Sequence, residues 1–316
     1  MPLDADVEAM LARLAAVGPP AVSEQTPEEA RRSYLAAPKP QGDQLTVVED
    51  RSIPGPAGPM AVRCYATSAD PGLGVVVFFH GGGWVLSSIE GHDSLARRLA
   101  ARSGALVVSV EYRLAPEHPF PAPHEDAWAA TVWLAEHAAQ FGGDPGRLAV
   151  AGDSAGGNLA AGVALRARDE GLPLRLQALI YPCLDTDFDR PSYRDNAEGY
   201  FLTAADMRWF WDQFVPPEHR HDPYAVPLQA DDVSGAAPAL IQTAEYDPLR
   251  DEAEAYGQRL AHAGVPVTTT RYDGVIHGFV SRWDQIAGAL PAQDEVGAAL
   301  RDALSDGPLG PVLRPD

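Results

Sequence analysis

The sequence predicts an α/β protein in which helices cover both faces of a mostly parallel central sheet. Six short apolar or β-branched runs lack strict alternation, which is typical of strands buried on both faces. Helical stretches separate several of these runs, and this order predicts a doubly wound sheet with right-handed crossovers. The predicted strands are residues 75–79, 106–110, 147–152, 176–181, 239–243 and 267–272, and the predicted helices are residues 91–103, 124–139, 155–170 and 248–263.

The chain before the first parallel strand has a different pattern. Residues 1–40 contain two short helical patterns, at 7–17 and 27–35, with too little apolar surface to fold alone, so we expect them to dock on the main body. Two strands at 45–50 and 60–66 follow, joined by a segment rich in glycine and proline. This arrangement predicts an antiparallel start to the sheet, with a turn over 51–59.

One interval interrupts the alternation of strands and helices. More than fifty residues separate the strand ending at Tyr181 from the one starting at Ala239, too many for a simple crossover. We therefore predict an inserted lid over residues 185–225. It contains a helix that opens with Thr203 and Asp206 spaced as a capping box. One face of that helix, which serves either an ordinary core or a substrate contact, carries Met207, Phe210, Trp211 and Phe214.

The amino-acid composition gives expectations about the cell compartment and about the class of binding partner. The formal net charge of -20, from 44 acidic and 24 basic residues, argues against nucleic-acid or anionic-membrane partners. Cys64 and Cys183 lie in strand-like stretches and are expected to be buried free thiols, which favours a reducing cytosol. The acidic N-terminus does not resemble a signal peptide, and no apolar run approaches the ~20 residues of a membrane span. We expect a soluble cytoplasmic protein with no internal repeat.

Residues 152–156, Gly-Asp-Ser-Ala-Gly, contain a candidate nucleophile. Ser154 follows a predicted strand and opens a predicted helix, which is the context of a nucleophile elbow. Such a turn is sharp enough to need small neighbours, and the helix N-terminus favours nearby negative charge. The alternative is that Ser154 is only a small residue in a tight turn.

A serine hydroxyl is a weak nucleophile and needs a histidine base. His262 and His277 are the histidines beyond residue 221, and His262 lies within a helical pattern. His277 follows the last predicted strand, where a loop would present it over the serine. We therefore predict that His277 is the base, although a lone histidine is more often structural.

The base in turn needs a carboxylate to orient it. Asp247 lies just beyond a strand end, and 30 residues separate it from His277. Its alternative role is a helix N-cap before Pro248. Three rival carboxylates lie nearer the strand or one turn into the helix, so Asp247 is the first choice. These rivals are Glu245, Asp251 and Glu252.

The developing negative charge on a substrate carbonyl oxygen needs hydrogen-bond donors. Residues 80–84, His-Gly-Gly-Gly-Trp, follow a strand directly, and consecutive glycines let backbone N–H groups approach substrate closely. Glycine-rich loops also bind phosphates, but this one has neither a Walker lysine nor a dinucleotide fingerprint. The His-Arg-His of residues 219–221 lacks a third ligand nearby, so we predict a solvated loop and no metal site.

Four motifs follow one another along the chain: "HGGGW" (80–84), "YRLAPEHPFPA" (112–122), "GDSAGGNLA" (152–160) and "EYDPLRDE" (245–252). Together and in this order they resemble the hormone-sensitive-lipase-like (family IV) esterases of the α/β-hydrolase superfamily. The resemblance covers roughly residues 45–300. It also includes residues 196–203, "NAEGYFLT", which are similar to that family's cap.

The resemblance implies an α/β-hydrolase fold and a role for each motif. It implies that Ser154 is the nucleophile, His277 the base and Asp247 its partner. The implied oxyanion hole consists of the backbone N–H groups of Gly82, Gly83 and Ala155, with Gly81 shaping the turn. Residues 1–40 and the insertion at 185–225 would form a helical cap on the catalytic domain of residues 41–316. Candidate pocket residues, which would equally serve as core, are Trp84, Met207, Trp211 and Phe214.

The expected function is hydrolysis of short to medium acyl esters through an acyl-enzyme intermediate, with no metal or organic cofactor. The partner is then a small-molecule ester, and a homo-oligomer is compatible with the sequence. One alternative is an amidase or deacetylase that uses the same triad. Another is a small-molecule receptor, since the family resemblance includes plant hormone receptors without the catalytic histidine, and the presence of His277 counts against it.

Overall fold

The computed structural model describes residues 2–305, and within them eight strands form one sheet. The predicted end of the catalytic domain at residue 316 lies outside the described residues. The strands are β1 (Val47–Gly55), β2 (Gly58–Ala66), β3 (Leu73–Phe79), β4 (Leu106–Val110), β5 (Gly143–Asp153), β6 (Gln177–Ile180), β7 (Ala239–Tyr246) and β8 (Val267–Ile276). Their order is β1-β2-β4-β3-β5-β6-β7-β8. Pairing is antiparallel for β1 with β2 and β2 with β4, and parallel across the rest of the sheet.

Helices pack on both faces of this sheet, as the sequence predicts. Alternate side chains of β3 enter two separate cores: Val75, Val77 and Phe79 enter one, and Val76 and Phe78 the other. Helices α4, α5 and α8 contribute to the first core, and α3 and α9 to the second. The helices in residues 2–305 are α1 (Ala5–Val17), α2 (Pro27–Ala36), α3 (Asp93–Ser103), α4 (Ala122–His137), α5 (Ala155–Glu170), α6 (Pro191–Asp195), α7 (Ala204–Phe214), α8 (Arg250–His262) and α9 (Ala289–Ala303).

The first hairpin differs from the sequence prediction. The antiparallel start is present, but the turn predicted over residues 51–59 is too long, because β1 continues to Gly55 and β2 begins at Gly58. Pro54 pairs with Pro59 inside the ladder. A proline is tolerated there because β1 is an edge strand, where one side of the backbone needs no ladder hydrogen bond.

The inserted segment contains the predicted capped helix. The Thr203 hydroxyl accepts the Asp206 N–H at 3.0 Å, and the Asp206 carboxylate accepts the Thr203 N–H at 3.2 Å. The same carboxylate accepts the N–H of Ser23 at 2.9 Å. This bond joins the N-terminal segment to α7, so the two parts of the chain that the sequence assigns to a cap are in direct contact.

The two cysteines are free and buried, as predicted. Burial raises the pKa of the Cys64 thiol to about 12, which keeps it protonated at neutral pH. None of the helices within residues 2–305 has both the length and the apolar character needed to cross a membrane.

A buried histidine in α4 makes the fold sensitive to acid. His124 packs against the rings of Phe120 and Phe214, and burial lowers its pKa to about 3. An unfolded histidine has a pKa of about 6.5, so between these values the unfolded chain binds more protons and stability falls as pH falls. We expect His124→Leu to remove about 2 kcal/mol of the stability loss between pH 7.5 and pH 5. Denaturant unfolding at both pH values measures this difference, and equal losses in wild type and variant would contradict it.

Candidate active site

Ser154 lies in a sharp turn between the end of β5 and the start of α5. Its backbone has φ 56° and ψ -119°, a conformation that costs free energy for a residue with a side chain. The turn is possible because its neighbours are small: a Cβ built on Gly156 would lie 1.9 Å from the carbonyl oxygen of Phe79. The Ser154 N–H donates to Ile180 on the neighbouring strand at 2.8 Å. The sequence context of a nucleophile elbow therefore corresponds to a strained strand-to-helix turn at this serine.

The structure brings Ser154, His277 and Asp247 into one hydrogen-bonded chain. His277 Nε2 lies 3.0 Å from Ser154 Oγ, and His277 Nδ1 lies 2.7 Å from Asp247 Oδ2. Asp247 follows β7 and His277 follows β8, two adjacent parallel strands whose carboxyl ends meet at one edge of the sheet. All three side chains are buried, and Asp247 has no exposed surface.

The surroundings fix the orientation of the histidine and its carboxylate. The second oxygen of Asp247 accepts the N–H of Leu249 at 2.9 Å, which holds the carboxylate in place. The Tyr181 ring packs against His277 with ring centroids 4.7 Å apart. Asp247 is not the N-cap residue of α8, which begins at Arg250 with Leu249 as its N-cap, although Asp247 accepts backbone N–H groups in the turn that leads into this helix.

The rival carboxylates have other partners. Glu245 accepts the N–H of Gly274 on β8 at 2.8 Å. Asp251 accepts the Ser192 N–H at 2.8 Å, and Glu252 accepts the Leu184 N–H at 2.6 Å. Asp247 is therefore the carboxylate bonded to the imidazole.

The glycine-rich loop after β3 has unused N–H groups. Gly82 and Gly83 have φ angles of +117° and +60°, in the region that favours glycine. Within residues 2–305, no acceptor is bonded to the N–H groups of Gly82, Gly83 or Ala155. The Gly81 N–H instead donates to the Asp153 carboxylate at 2.9 Å. This pattern is compatible with the prediction that Gly81 shapes the turn while Gly82 and Gly83 offer their N–H groups to a substrate.

Asp153 and His92 support the loop, although the sequence motifs alone indicate no role for either residue. The second oxygen of Asp153 lies 3.2 Å from His92 Nε2, and His92 Nδ1 lies 2.8 Å from the Ser87 hydroxyl. Burial raises the pKa of Asp153, but His92 and the Gly81 N–H lower it more, so the net pKa lies below its usual value. The sequence does carry one signal for Asp153, because an acidic residue at the end of a buried strand and next to the candidate nucleophile needs a buried partner.

The four predicted pocket residues are buried, with Trp84 at the end of the glycine loop and the other three on α7. Trp84 stacks on Phe214 with ring centroids 4.1 Å apart and an interplanar angle of 9°. Trp84 also contacts Trp211 at 4.6 Å between centroids, and Met207 is 2% exposed. Their contact with substrate stays a prediction. Phe210, from the same face of α7, packs directly on Gly83, where an added Cβ would lie 2.1 Å from its ring.

Comparison with known proteins gives the same family as the motifs. The sequence profile of a family with the alpha/beta hydrolase fold matches residues 76–281. The chain is 45% identical to esterase LipI of Mycobacterium tuberculosis over 279 residues, which cover 85% of this chain and 84% of that protein. It is 40% identical to an ethyl acetate hydrolase of Pseudomonas putida over 265 residues, which cover 80% and 83% of the two chains.

A solved structure extends this likeness to the fold. A hyperthermophilic esterase from the archaeon Pyrobaculum calidifontis matches with a TM-score of 0.89 and 43% identity, over 95% of this chain and 98% of that chain. The predicted fold class is confirmed. On the profile match and the shared identity, the chain belongs to the hormone-sensitive-lipase-like esterases of the α/β-hydrolase superfamily.

Proposed function

We propose that this protein hydrolyses short to medium acyl carboxylic esters with Ser154 as nucleophile. The hydrogen-bonded chain from Asp247 through His277 to the Ser154 hydroxyl, with bonds of 2.7 Å and 3.0 Å, is the observation that carries this proposal. Relatives named as esterases and as an ethyl acetate hydrolase support the reaction class.

The first half of the reaction forms an acyl-enzyme. Ser154 Oγ attacks the ester carbonyl carbon while His277 Nε2 takes the hydroxyl proton. The carbonyl oxygen becomes an oxyanion, and the free N–H groups of Gly82, Gly83 and Ala155 donate to it. The intermediate collapses, and the bond to the leaving oxygen breaks as His277 returns its proton to that oxygen. The alcohol departs.

The second half regenerates the serine. His277 takes a proton from water, and the resulting hydroxide attacks the acyl carbon through a second oxyanion at the same donors. The bond to Ser154 Oγ breaks, and His277 gives the proton back to the serine. Asp247 holds the imidazole in the tautomer that leaves Nε2 free, and stabilises the imidazolium in both halves.

The same proposal includes the domain division and the pocket. Residues 1–40 and 185–225 form a cap over a catalytic domain that starts at residue 41, which the bond from Ser23 to Asp206 supports. Trp84, Met207, Trp211 and Phe214 then shape the acyl or alcohol side of the pocket from the cap interface. Two buried unpaired thiols favour a cytoplasmic location, and self-association stays a prediction for sedimentation analysis.

A panel of 4-nitrophenyl esters tests the proposed function. We expect the largest kcat/KM between the acetyl and hexanoyl esters, with slower turnover of the matching 4-nitroanilides. The anilide arm separates an esterase from an amidase, because the acyl group is constant and the leaving group changes. Turnover of the anilides at rates equal to the esters would make amide cleavage the better assignment, and no turnover of any ester would refute the proposal.

A further inference from the structure

A cavity of about 340 Å³ lies beside the site described above. Its walls come from four parts of the chain: α1, residues 34–40 at and beyond the end of α2, residues 91–95 at the start of α3, and residues 281–285. Phe201, from the inserted segment, completes the wall. The cavity therefore lies where the proposed cap meets the catalytic domain.

Two residues of the cavity wall bond directly to neighbours of the proposed catalytic side chains. His92 lies 3.2 Å from the carboxylate of Asp153, which precedes Ser154. The Arg282 guanidinium donates to the carbonyl oxygen of Gly278, which follows His277, at 2.7 Å. The cavity wall is thus bonded to the residue that precedes the nucleophile and to the residue that follows the base.

The charge of the cavity is opposite to that of the chain. Three cationic side chains line it, Arg13 and Lys39 at the exposed mouth and the half-buried Arg282 further in. The lining includes no aspartate or glutamate, although the chain carries 44 acidic and 24 basic residues. Lys39 is the one lysine of the whole sequence.

None of the three cations has a carboxylate partner in the part of the chain that the structure describes. The Arg282 guanidinium carbon lies 4.3 Å from the centroid of the Phe201 ring. Its hydrogen bond to Gly278 uses one of its five N–H donors. Asp153 and Asp284 act on the guanidinium through space without forming an ion pair with it. Free donors on a half-buried guanidinium match the geometry of a carboxylate.

The cations also repel one another. Burial, and then the charge of Arg282, lower the pKa of Lys39 to about 8. A bound anion would relieve this repulsion and would supply the carboxylate that residues 2–305 do not place beside these cations.

We propose that this cavity binds a carboxylate carried by the ester substrate, with Arg282 as the principal contact and Lys39 and Arg13 at the mouth. The inference rests on the proposed function and narrows its substrate class to esters that bear a negative charge a few bonds from the scissile carbonyl. The carboxylate can belong to the acyl part, as in a half-ester of a dicarboxylic acid, or to the alcohol part, as in an acylated hydroxy acid.

Two matched pairs of substrates test whether the bound carboxylate belongs to the acyl part or to the alcohol part of the ester. The acyl pair is 4-nitrophenyl hydrogen glutarate and its neutral glutaramate analogue. The alcohol pair is 4-acetoxybenzoate and neutral 4-acetoxybenzamide. For each pair, the ratio of kcat/KM for the anionic member to that for the neutral member reports the charge contact and cancels general changes in the active site.

We expect a ratio above one in at least one pair for the wild type, and a fall of about tenfold to 100-fold in Arg282→Gln. Lys39→Gln, at the exposed mouth, should lower the ratio about threefold. Arg282→Lys keeps the charge and should restore part of the ratio. The matched control is Arg32→Gln, on the exposed side of α2 where Arg32 pairs with Glu28 at 2.8 Å, and its ratio should equal that of wild type.

The two proposals fail separately. Hydrolysis of the neutral esters with ratios that Arg282→Gln and Lys39→Gln leave unchanged would overturn the carboxylate site alone. Absence of hydrolysis of all four esters, anionic and neutral, would overturn the proposed function. In that case, calorimetric binding to Ser154→Ala protein still tests the cavity: tighter binding of the anionic than the neutral member, lost in Arg282→Gln, supports the site, and equal binding refutes it.

Discussion

Ser154→Ala is expected to lower kcat for 4-nitrophenyl acetate by about 10⁶-fold, because the loss of a serine nucleophile removes the acyl-enzyme route entirely. The His277 imidazole would remain, but no hydroxyl would lie 3.0 Å from its Nε2. Steady-state kinetics on the purified variant measure this loss. The folded state should persist, since the substitution removes one atom from a turn whose conformation depends on its glycine neighbours.

The control for this substitution is Ser103→Ala. Ser103 is also buried, and its hydroxyl donates to the carbonyl of Leu99 within α3 at 2.7 Å. That variant should keep the wild-type kcat while both variants unfold cooperatively on heating. A Ser154→Ala enzyme with most of the wild-type turnover would exclude Ser154 as the nucleophile.

Gly83→Ala is expected to lower kcat by about 100-fold to 1,000-fold, which is the usual effect of losing one oxyanion donor. Gly83 has φ +60°, and a Cβ added there would lie 2.1 Å from the Phe210 ring. The loop must move to relieve this clash, and its N–H groups then no longer point at the developing charge. Because the donor acts in the transition state, kcat should fall while KM changes little.

Gly104→Ala separates this effect from backbone strain. Gly104 ends α3 with φ +69°, and a Cβ added there meets nothing within 4 Å. Both variants incur a similar conformational penalty, but only the one at Gly83 should lose activity. If the two variants have equal kcat values, the glycine loop does not supply the oxyanion donors.

Much of the fold could be predicted from short runs of sequence. Residues 106–110 and 155–170 match β4 and α5 residue for residue, because continuous burial of a strand and a glycine-rich helix start leave clear patterns. Helix α9 was not predicted. Three of its six buried positions are alanine or glycine, namely Ala289, Ala292 and Gly297, and such small side chains give a weak apolar pattern in the sequence.

The candidate site was predictable because parallel strands place their carboxyl ends together. Asp247 and His277 are 30 residues apart, yet they lie after neighbouring strands and meet at 2.7 Å. The meeting of Arg282 and Lys39 at one cavity, in contrast, depends on how the N-terminal helices dock. Local sequence carries no signal for such docking, since it joins residues more than two hundred positions apart.

Covalent labelling with an ethyl 4-nitrophenyl alkylphosphonate tests the central claim most directly. The Ser154 oxygen should form a bond to phosphorus as 4-nitrophenolate leaves and His277 takes the proton, in a geometry that imitates attack on an ester. Intact-mass analysis with peptide mapping should find one phosphonyl group per chain, attached to Ser154. A label on a different residue, or an unlabelled Ser154 in protein that hydrolyses esters, would contradict the mechanism.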